Sequence, residues 1–138
     1  MTYLLDTDLC LAVMRRRAPE LRERFARLVR GEAAISVVTY GELRYGANKS
    51  RQPEQAAASL AEFVSLVPVA ALDASAGAEY GRIRAVLEAR GQIIGNNDLW
   101  IAAHAAALQL VLVTYNQREF SRVPGLKVED WTPAERRG

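Results

Sequence analysis

The chain has 138 residues, 50% hydrophobic and 25% charged, with a net charge of +2. That is one domain's worth of sequence with enough apolar side chains to offset the entropy of ordering it, which excludes a largely disordered chain. No apolar run approaches the ~20 residues a bilayer-spanning helix needs, and Met1-Thr2-Tyr3-Leu4-Leu5-Asp6 lacks the basic start and long apolar stretch of a signal peptide. A cytoplasmic protein without membrane association is expected.

In chain order, Tyr3-Leu4-Leu5 reads as a short buried strand ending at Asp6, followed by a helix from about Asp8 to Arg16. Pro19 opens a second helix with Leu21, Phe25 and Leu28 at helical spacing, which Gly31 ends. Ala33 to Val37 reads as a second strand and Val38 to Lys49 as a helix. Pro53 starts the next helix, whose Leu60, Phe63, Val64 and Val67 mark one face, and the stretch around Pro68 reads as an extended edge segment. Asp73 caps a long helix with Ala76, Tyr80, Ile83 and Leu87 on one side, stopped by Gly91. Asn96 or Asn97 is the expected cap of a helix running to about Gln109. Leu110 to Val113 is the clearest buried strand, a turn follows at Gln117 to Phe120, and Leu126 to Val128 reads as a last strand. Strands alternating with helices predict a small, mainly parallel sheet covered on both faces, a three-layer α/β/α domain over residues 1–131 with a flexible tail at 132–138.

Ligands of an open parallel sheet collect at the carboxyl ends of its strands. Asp6 lies at one such end, and Thr114 and Asn116 at another, so the same edge receives all three. Val38, Glu42 and Tyr45 share a helical face, which puts the Glu42 carboxylate among apolar neighbours; Asp98 shares a face with Ile101, Ala102 and Ala105. Unpaired carboxylates are costly to bury, so such groups need partners. The simplest partners are Arg44 or Lys49 for Glu42, and the helix N-terminus for Asp98. A shared divalent metal is the functional alternative. The single cysteine, Cys10, excludes a cysteine zinc cluster and the single histidine, His104, a two-histidine site. An all-carboxylate set favours Mg²⁺ or Mn²⁺, ions that most often serve phosphoryl chemistry.

Four stretches resemble the PIN-domain ribonucleases, and within them the VapC-type toxins of bacterial toxin–antitoxin pairs. They are Tyr3-Leu4-Leu5-Asp6-Thr7-Asp8, the segment Ile35 to Leu43 containing Glu42, the segment Ile94 to Ala105 containing Asp98, and Leu112 to Phe120 continued by Val123-Pro124-Gly125-Leu126. The similarity runs from residue 2 to about Trp131, with the four motifs in the family's order and spacing. The resemblance implies a PIN-like fold, an acidic triad of Asp6, Glu42 and Asp98 around a Mg²⁺ or Mn²⁺ ion, a fourth polar position at Asn116 or Glu119, and a supporting hydroxyl at Thr7. It implies cleavage of RNA, in the subgroup most alike the initiator tRNA in its anticodon loop, blocking translation. It also implies a small VapB-type antitoxin as partner, a homodimer, a toxin–antitoxin hetero-oligomer, and contact with operator DNA through the antitoxin alone. Asp8 and Tyr115 depart from the family, which commonly has asparagine at both positions.

Charge is unevenly spread: residues 15–51 contain ten Lys or Arg against four Asp or Glu, and 16 of the 18 basic residues are arginine. Arginine's planar fork suits phosphate, so this stretch is expected to contact RNA, the plainer reading being a solvated helix face. Leu11, Val13 and Phe25 offer apolar contacts to an antitoxin. Two other functions compete with the nuclease. One is a non-catalytic RNA- or protein-interaction module with structural acids. The other is a haloacid-dehalogenase-type phosphatase, for which Asp6-Thr7-Asp8 is a superficial match without the required continuation at Leu9 and Cys10.

Overall fold

The structure, a computed structural model, describes residues 1–15 and 19–131. The strands are β1 (Tyr3–Leu5), β2 (Ala33–Ser36), β3 (Val69–Ala70), β4 (Val111–Val113) and β5 (Val128–Glu129). The helices are α1 (Thr7–Met14), α2 (Pro19–Ala26), α3 (Val37–Asn48), α4 (Pro53–Leu66), α5 (Ala74–Ala89), α6 (Asn96–Leu108) and α7 (Gln117–Phe120). The five strands form one parallel sheet in the order β3-β2-β1-β4-β5.

The apolar strand sequences follow from burial on both faces, because successive side chains of a strand point to opposite sides. Leu4 and Leu112 stand opposite each other and feed one core cluster with Ile83, Leu87, Ile101 and Phe120. Leu5 and Val113, one residue on, feed the other with Leu9, Ile35, Leu60, Phe63 and Trp131. The first layer is α5 and α6; the second is α1, α3 and α4, with α2 seated through Leu21 and the Phe25–Phe63 stack, ring centroids 5.7 Å apart. The three-layer α/β/α prediction holds, and Cys10 is a fully buried core residue. Among the described residues no helix is long and apolar enough to cross a membrane.

Several boundaries differ from the sequence reading. The second helix ends at Ala26, not Gly31; a non-helical stretch intervenes, and Gly31 takes the positive φ of +86° that reverses the chain into β2. The last strand is Val128–Glu129 rather than Leu126–Val128, because Gly125 (φ +78°) turns the chain before it can pair with β4. Neither Asn96 nor Asn97 caps α6: Gly95 is the N-cap and supplies no side-chain bond. Val13 is buried and not available to a partner. The first helix ends at Met14 with Arg15 as its C-cap, short of the expected end at Arg16, because the Arg15 N–H closes the last turn on the Leu11 carbonyl; the tail at 132–138 lies outside the described residues.

His104 is buried inside the first layer, its Nδ1 2.8 Å from the Ser36 hydroxyl, which also accepts from the Val38 N–H at the start of α3. Burial holds the imidazole below its ordinary pKa, although the Ala71 carbonyl and the Asp73 charge favour the protonated ring. A histidine resisting protonation in the fold stabilises fully above the free imidazole's pKa, and that contribution is lost as pH falls through the lower folded value. Wild-type stability should therefore drop on acidification below pH about 6.5 more steeply than that of His104→Gln, measured by urea unfolding from pH 8 to 5.

Candidate active site

Because β1 and β4 run parallel with Leu5 opposite Val113, the next residues, Asp6 and Thr114, leave the sheet side by side. The Thr114 hydroxyl donates to Asp6 Oδ2 at 2.7 Å, and the Asp6 N–H donates to the Val113 carbonyl at 2.9 Å. Asp6 is also the N-cap of α1, its Oδ1 accepting the Thr7 N–H at 2.7 Å, at the helix end where the macrodipole favours negative charge. Only 4% of Asp6 is exposed. Burial raises its carboxyl above the usual pKa range; the bonds from Thr114 and Thr7 pull it back, and the charges of Asp8 and Glu42 push it up again.

Glu42 lies one strand over, in the second turn of α3, half-buried. The Thr7 hydroxyl donates to its Oε1 at 2.7 Å, and the fully buried Thr39 hydroxyl lies 3.2 Å from that of Thr7. Thr7 therefore links the first two acids, through its N–H to Asp6 and its hydroxyl to Glu42. Arg44 and Lys49 do not neutralise Glu42: the ion pairs among the described residues are Arg24–Glu129, Arg82–Glu79 and Arg84–Glu88, and Lys49 lies over the Tyr45 ring at 5.1 Å. The apolar face expected around Glu42 is also corrected. Tyr45 is 62% exposed, and the buried face of α3 is Thr39, Leu43 and Ala47. α3 packs between α1 and α4 along that stripe, which leaves Glu42 on its flank, facing the sheet edge.

Asp98 sits in the first turn of α6, half-buried, its carboxyl pushed up to about 7. Burial is the largest cause, followed by a hydrogen bond to Glu119 and the negative charges of Glu119, Asp6 and Glu42. Glu119 is anchored on its other side by the Asn116 amide, which donates to Oε2 at 2.5 Å, and by the Gly95 N–H, 3.3 Å from Oε1. Glu119 thus faces Asp98, and Asn116 stands behind it as an orienting group. The Asn116 N–H donates to the Thr114 hydroxyl at 2.9 Å, which closes a chain of bonds from Asp6 to Glu119. Asp8 is exposed, and its charge still reaches Asp6.

The sheet edge therefore brings together Asp6, Thr7, Glu42, Asp98, Asn116 and Glu119. Sequence reasoning missed Thr39 as a participant, placed Thr114 only at the edge, and missed the Gly95 N–H. The signal for Thr114 was available: in an in-register parallel pair it is the cross-strand neighbour of Asp6. Among the described residues no three acidic, histidine or cysteine side chains are already gathered tightly enough to enclose an ion; Asp6 and Glu42 are turned to threonines and Glu119 to Asn116 and Gly95. The donor chemistry nevertheless fits a hard divalent cation. Every candidate donor atom is oxygen, no described lysine or arginine is paired with the four acids, and burial and neighbouring negative charge push the Asp98 carboxyl up to about 7, a field that would favour a cation.

The sequence pattern of the PIN domain matches residues 3–126, the span that contains all of these acids. The chain belongs to the PIN-domain family. Its relatives place it among the VapC ribonucleases: it is 43% identical over 132 residues to the tRNA(fMet)-specific endonuclease VapC of Shigella flexneri, covering 96% of this chain and 99% of that one. Ribonuclease VapC2 of Haemophilus influenzae is 40% identical over 131 residues, 95% of this chain and 98% of its own. Among solved structures, DNA-bound VapBC from Salmonella typhimurium superposes with a TM-score of 0.91 at 40% identity, covering 96% of this chain and 99% of that one. VapBC2 from Rickettsia felis, bound to a DNA fragment from its promoter, gives a TM-score of 0.90 at 38% identity, covering 96% of this chain and 100% of that one. With PIN membership the phosphatase alternative for Asp6-Thr7-Asp8 falls away.

The Thr114–Asp6 bond yields a direct test of this edge. Thr114→Val keeps the shape and removes two hydrogen bonds, the one to the buried Asp6 charge and the one from the Asn116 N–H, so unfolding free energy should fall by at least about 1.5–3 kcal/mol at pH 7. The deficit should shrink on acidification as Asp6 becomes protonated and its charge no longer needs the donor, as read from urea midpoints at pH 7 and pH 4.

Proposed function

We propose that this chain is a metal-dependent endoribonuclease, the toxin of a VapBC-type pair, which cleaves tRNA and so blocks translation, with the anticodon loop of initiator tRNA as its target. The observation that carries this reading is the convergence of Asp6, Glu42, Asp98 and Glu119 on one sheet edge with no lysine or arginine paired to them among the described residues, in a chain alike over nearly its whole length to a protein named as a tRNA(fMet)-specific endonuclease.

Asp6, Asp98 and Glu42 would hold Mg²⁺ or Mn²⁺. When bound, such an ion supplies an activated water at neutral pH and neutralises charge on the scissile phosphate. The chain's own groups do the rest. Thr114 and the Thr7 N–H fix the Asp6 carboxylate, so that ligand is oriented before any ion arrives. The Thr7 hydroxyl does the same for Glu42. Glu119, oriented by Asn116, is hydrogen-bonded to Asp98 and holds that carboxyl at the sheet edge. His104 takes no part, being buried against Ser36.

The partners follow the same reading. An apolar cleft of about 310 Å³, lined by Leu11, Met14, Leu43 and Leu60, runs between α1, α3 and α4 and ends at Glu42 and Arg15. A segment of a VapB-type antitoxin seated there would reach the acids and silence them. Neighbouring VapBC structures with bound DNA support a toxin–antitoxin hetero-oligomer; a homodimeric toxin within it, and contact with operator DNA through the antitoxin, complete the proposal. On α2 and the following loop, Arg22, Arg27 and Arg30 are exposed and suited to RNA phosphates, whereas Arg24 is engaged with Trp131, 4.8 Å from its ring, and with Glu129 at 3.9 Å.

Single-turnover cleavage of initiator tRNA tests the reading. Asp6→Asn and Asp98→Asn should each lose at least about 100-fold in rate with RNA affinity nearly intact, since loss even of an outer group around a metal costs 10- to 100-fold. EDTA should abolish cleavage, and added Mn²⁺ should restore it; full activity in EDTA or in Asp6→Asn overturns the metal-nuclease reading.

Binding of uncleaved RNA by Asp6→Asn tests the arginines. Replacing Arg27 and Arg30 together by alanine should weaken affinity and flatten the dependence on log salt by roughly 0.7 for each phosphate the protein no longer neutralises. An unchanged slope means these charges are only solvated.

A further inference from the structure

α6 delivers Asp98 from its first turn, yet the helix begins without a side-chain cap, because its N-cap is Gly95. An uncapped helix start frays, and fraying here would move a site carboxylate. Two attachments from other elements hold this turn. On the site side, the Glu119 carboxylate accepts the Gly95 N–H. On the outer side, the Tyr80 hydroxyl of α5 donates to Asn96 Oδ1 at 2.5 Å. The Tyr80 ring stacks on Trp100, one turn further along α6, with centroids 4.0 Å apart and planes 17° from parallel. Tyr80 thus grips α6 at two points that straddle Asp98 in the chain.

The Tyr80 hydroxyl is itself held. Arg84, one turn along α5, donates to its oxygen at 2.9 Å, and Arg84 is fixed in turn by Glu88 at 3.0 Å. A phenol that accepts from a guanidinium is polarised to donate more strongly, so the bond to Asn96 gains from the chain behind it. Asn96 is the residue whose type suggests a helix cap; its side chain is spent on Tyr80 instead. α5 is anchored in the core by Ile83 and Leu87, which makes it a rigid support for the grip.

We propose that Tyr80 is a positioning residue for the acidic site: through its hydroxyl on Asn96 and its ring on Trp100 it holds the first turn of α6, and with it Asp98, in place. The consequence for cleavage rests on the nuclease reading above; the effect on α6 does not.

The experiment has an arm for each. Hydrogen exchange of the metal-free protein is compared between wild type, Tyr80→Phe, Asn96→Ala and the double variant. Tyr80→Phe keeps the stack and removes the hydroxyl. The Leu99 amide, which bonds to the Gly95 carbonyl at 2.8 Å, should exchange about fivefold faster in both single variants, the effect of one lost hydrogen bond. The double variant should be no worse than either, because both remove the same bond. The core Leu87 and Leu112 amides should change by no more than the loss of global stability allows. In RNA cleavage, Tyr80→Phe should lower kcat about tenfold with KM unchanged, and the thermal midpoint should fall by no more than the few degrees that one lost hydrogen bond explains. Wild-type exchange at Leu99 in Tyr80→Phe, or additive effects in the double variant, overturns the proposal, as does unchanged kcat in an active enzyme. A wild-type protein that cleaves no RNA removes the nuclease reading alone, and the exchange result then decides on Tyr80.

Discussion

Burying the Asp6 carboxylate at the end of the central strand constrains everything around it. A carboxylate this enclosed is tolerable only if donors reach both of its oxygens. One donor, the Thr7 N–H, comes from the helix that Asp6 itself starts; the other, the Thr114 hydroxyl, comes from a strand more than a hundred residues away. The second donor exists only if β4 lies beside β1 with Leu5 opposite Val113. A slip of one residue would expose the wrong face of β4 to each core and leave the charge without its partner. Packing and electrostatics therefore select the same register.

The remaining acids are added to this fixed point in a way that works against ionisation. Asp6 and Glu42 both raise the proton affinity of Asp98, and Glu119 does so more strongly because it is in contact. A fold selected for stability alone would separate such charges or interleave arginine, which this chain has in abundance. Among the described residues the paired arginines sit elsewhere: Arg24 against Trp131 and Glu129, and Arg82 and Arg84 along α5. No described lysine or arginine is paired with these acids, so their mutual repulsion is left uncompensated. Local conflict with stability of this kind is what a functional site looks like in an otherwise consistent sequence.

The rest of the domain supplies rigidity and protects its edges. Both outer strands, β3 and β5, are two residues long, too short to template pairing with another chain. Trp131 closes the β5 side, edge-on to Tyr3 with ring centroids 5.1 Å apart and covered by Arg24, which ties α2 to the sheet. On the opposite layer, α5 and α6 pack along their length and carry the Tyr80–Trp100 contact toward the site.

From the sequence alone, the fold class and the order of elements were legible, because they rest on local properties, whereas the set of acids expected at the sheet edge came largely from the resemblance to PIN domains. Apolar runs such as Leu110 to Val113 are too short for helices and too apolar for a half-exposed strand. Pro53 and Asp73 start helices through their own geometry, and Asp6 ends a strand because a carboxylate cannot continue into the core. Placing Asp6 and Thr114 at one edge needed only the assumption of a parallel sheet. What the sequence could not supply was which polar atom meets which. Tyr45 fits the helical spacing of Glu42 yet points to solvent, because the packing of α3 against α1 and α4 sets its rotation. Asn96 has the chemistry of a cap, but the arrival of α5 gives its side chain a better partner in Tyr80. The choice between Asn116 and Glu119 was equally closed to inspection: one turn of α7 places both near the edge, and only the position of Gly95 on another segment makes Glu119 the group that faces Asp98. These outcomes depend on contacts between residues far apart in the chain, with energies of one hydrogen bond each, and only the assembled layers decide among them.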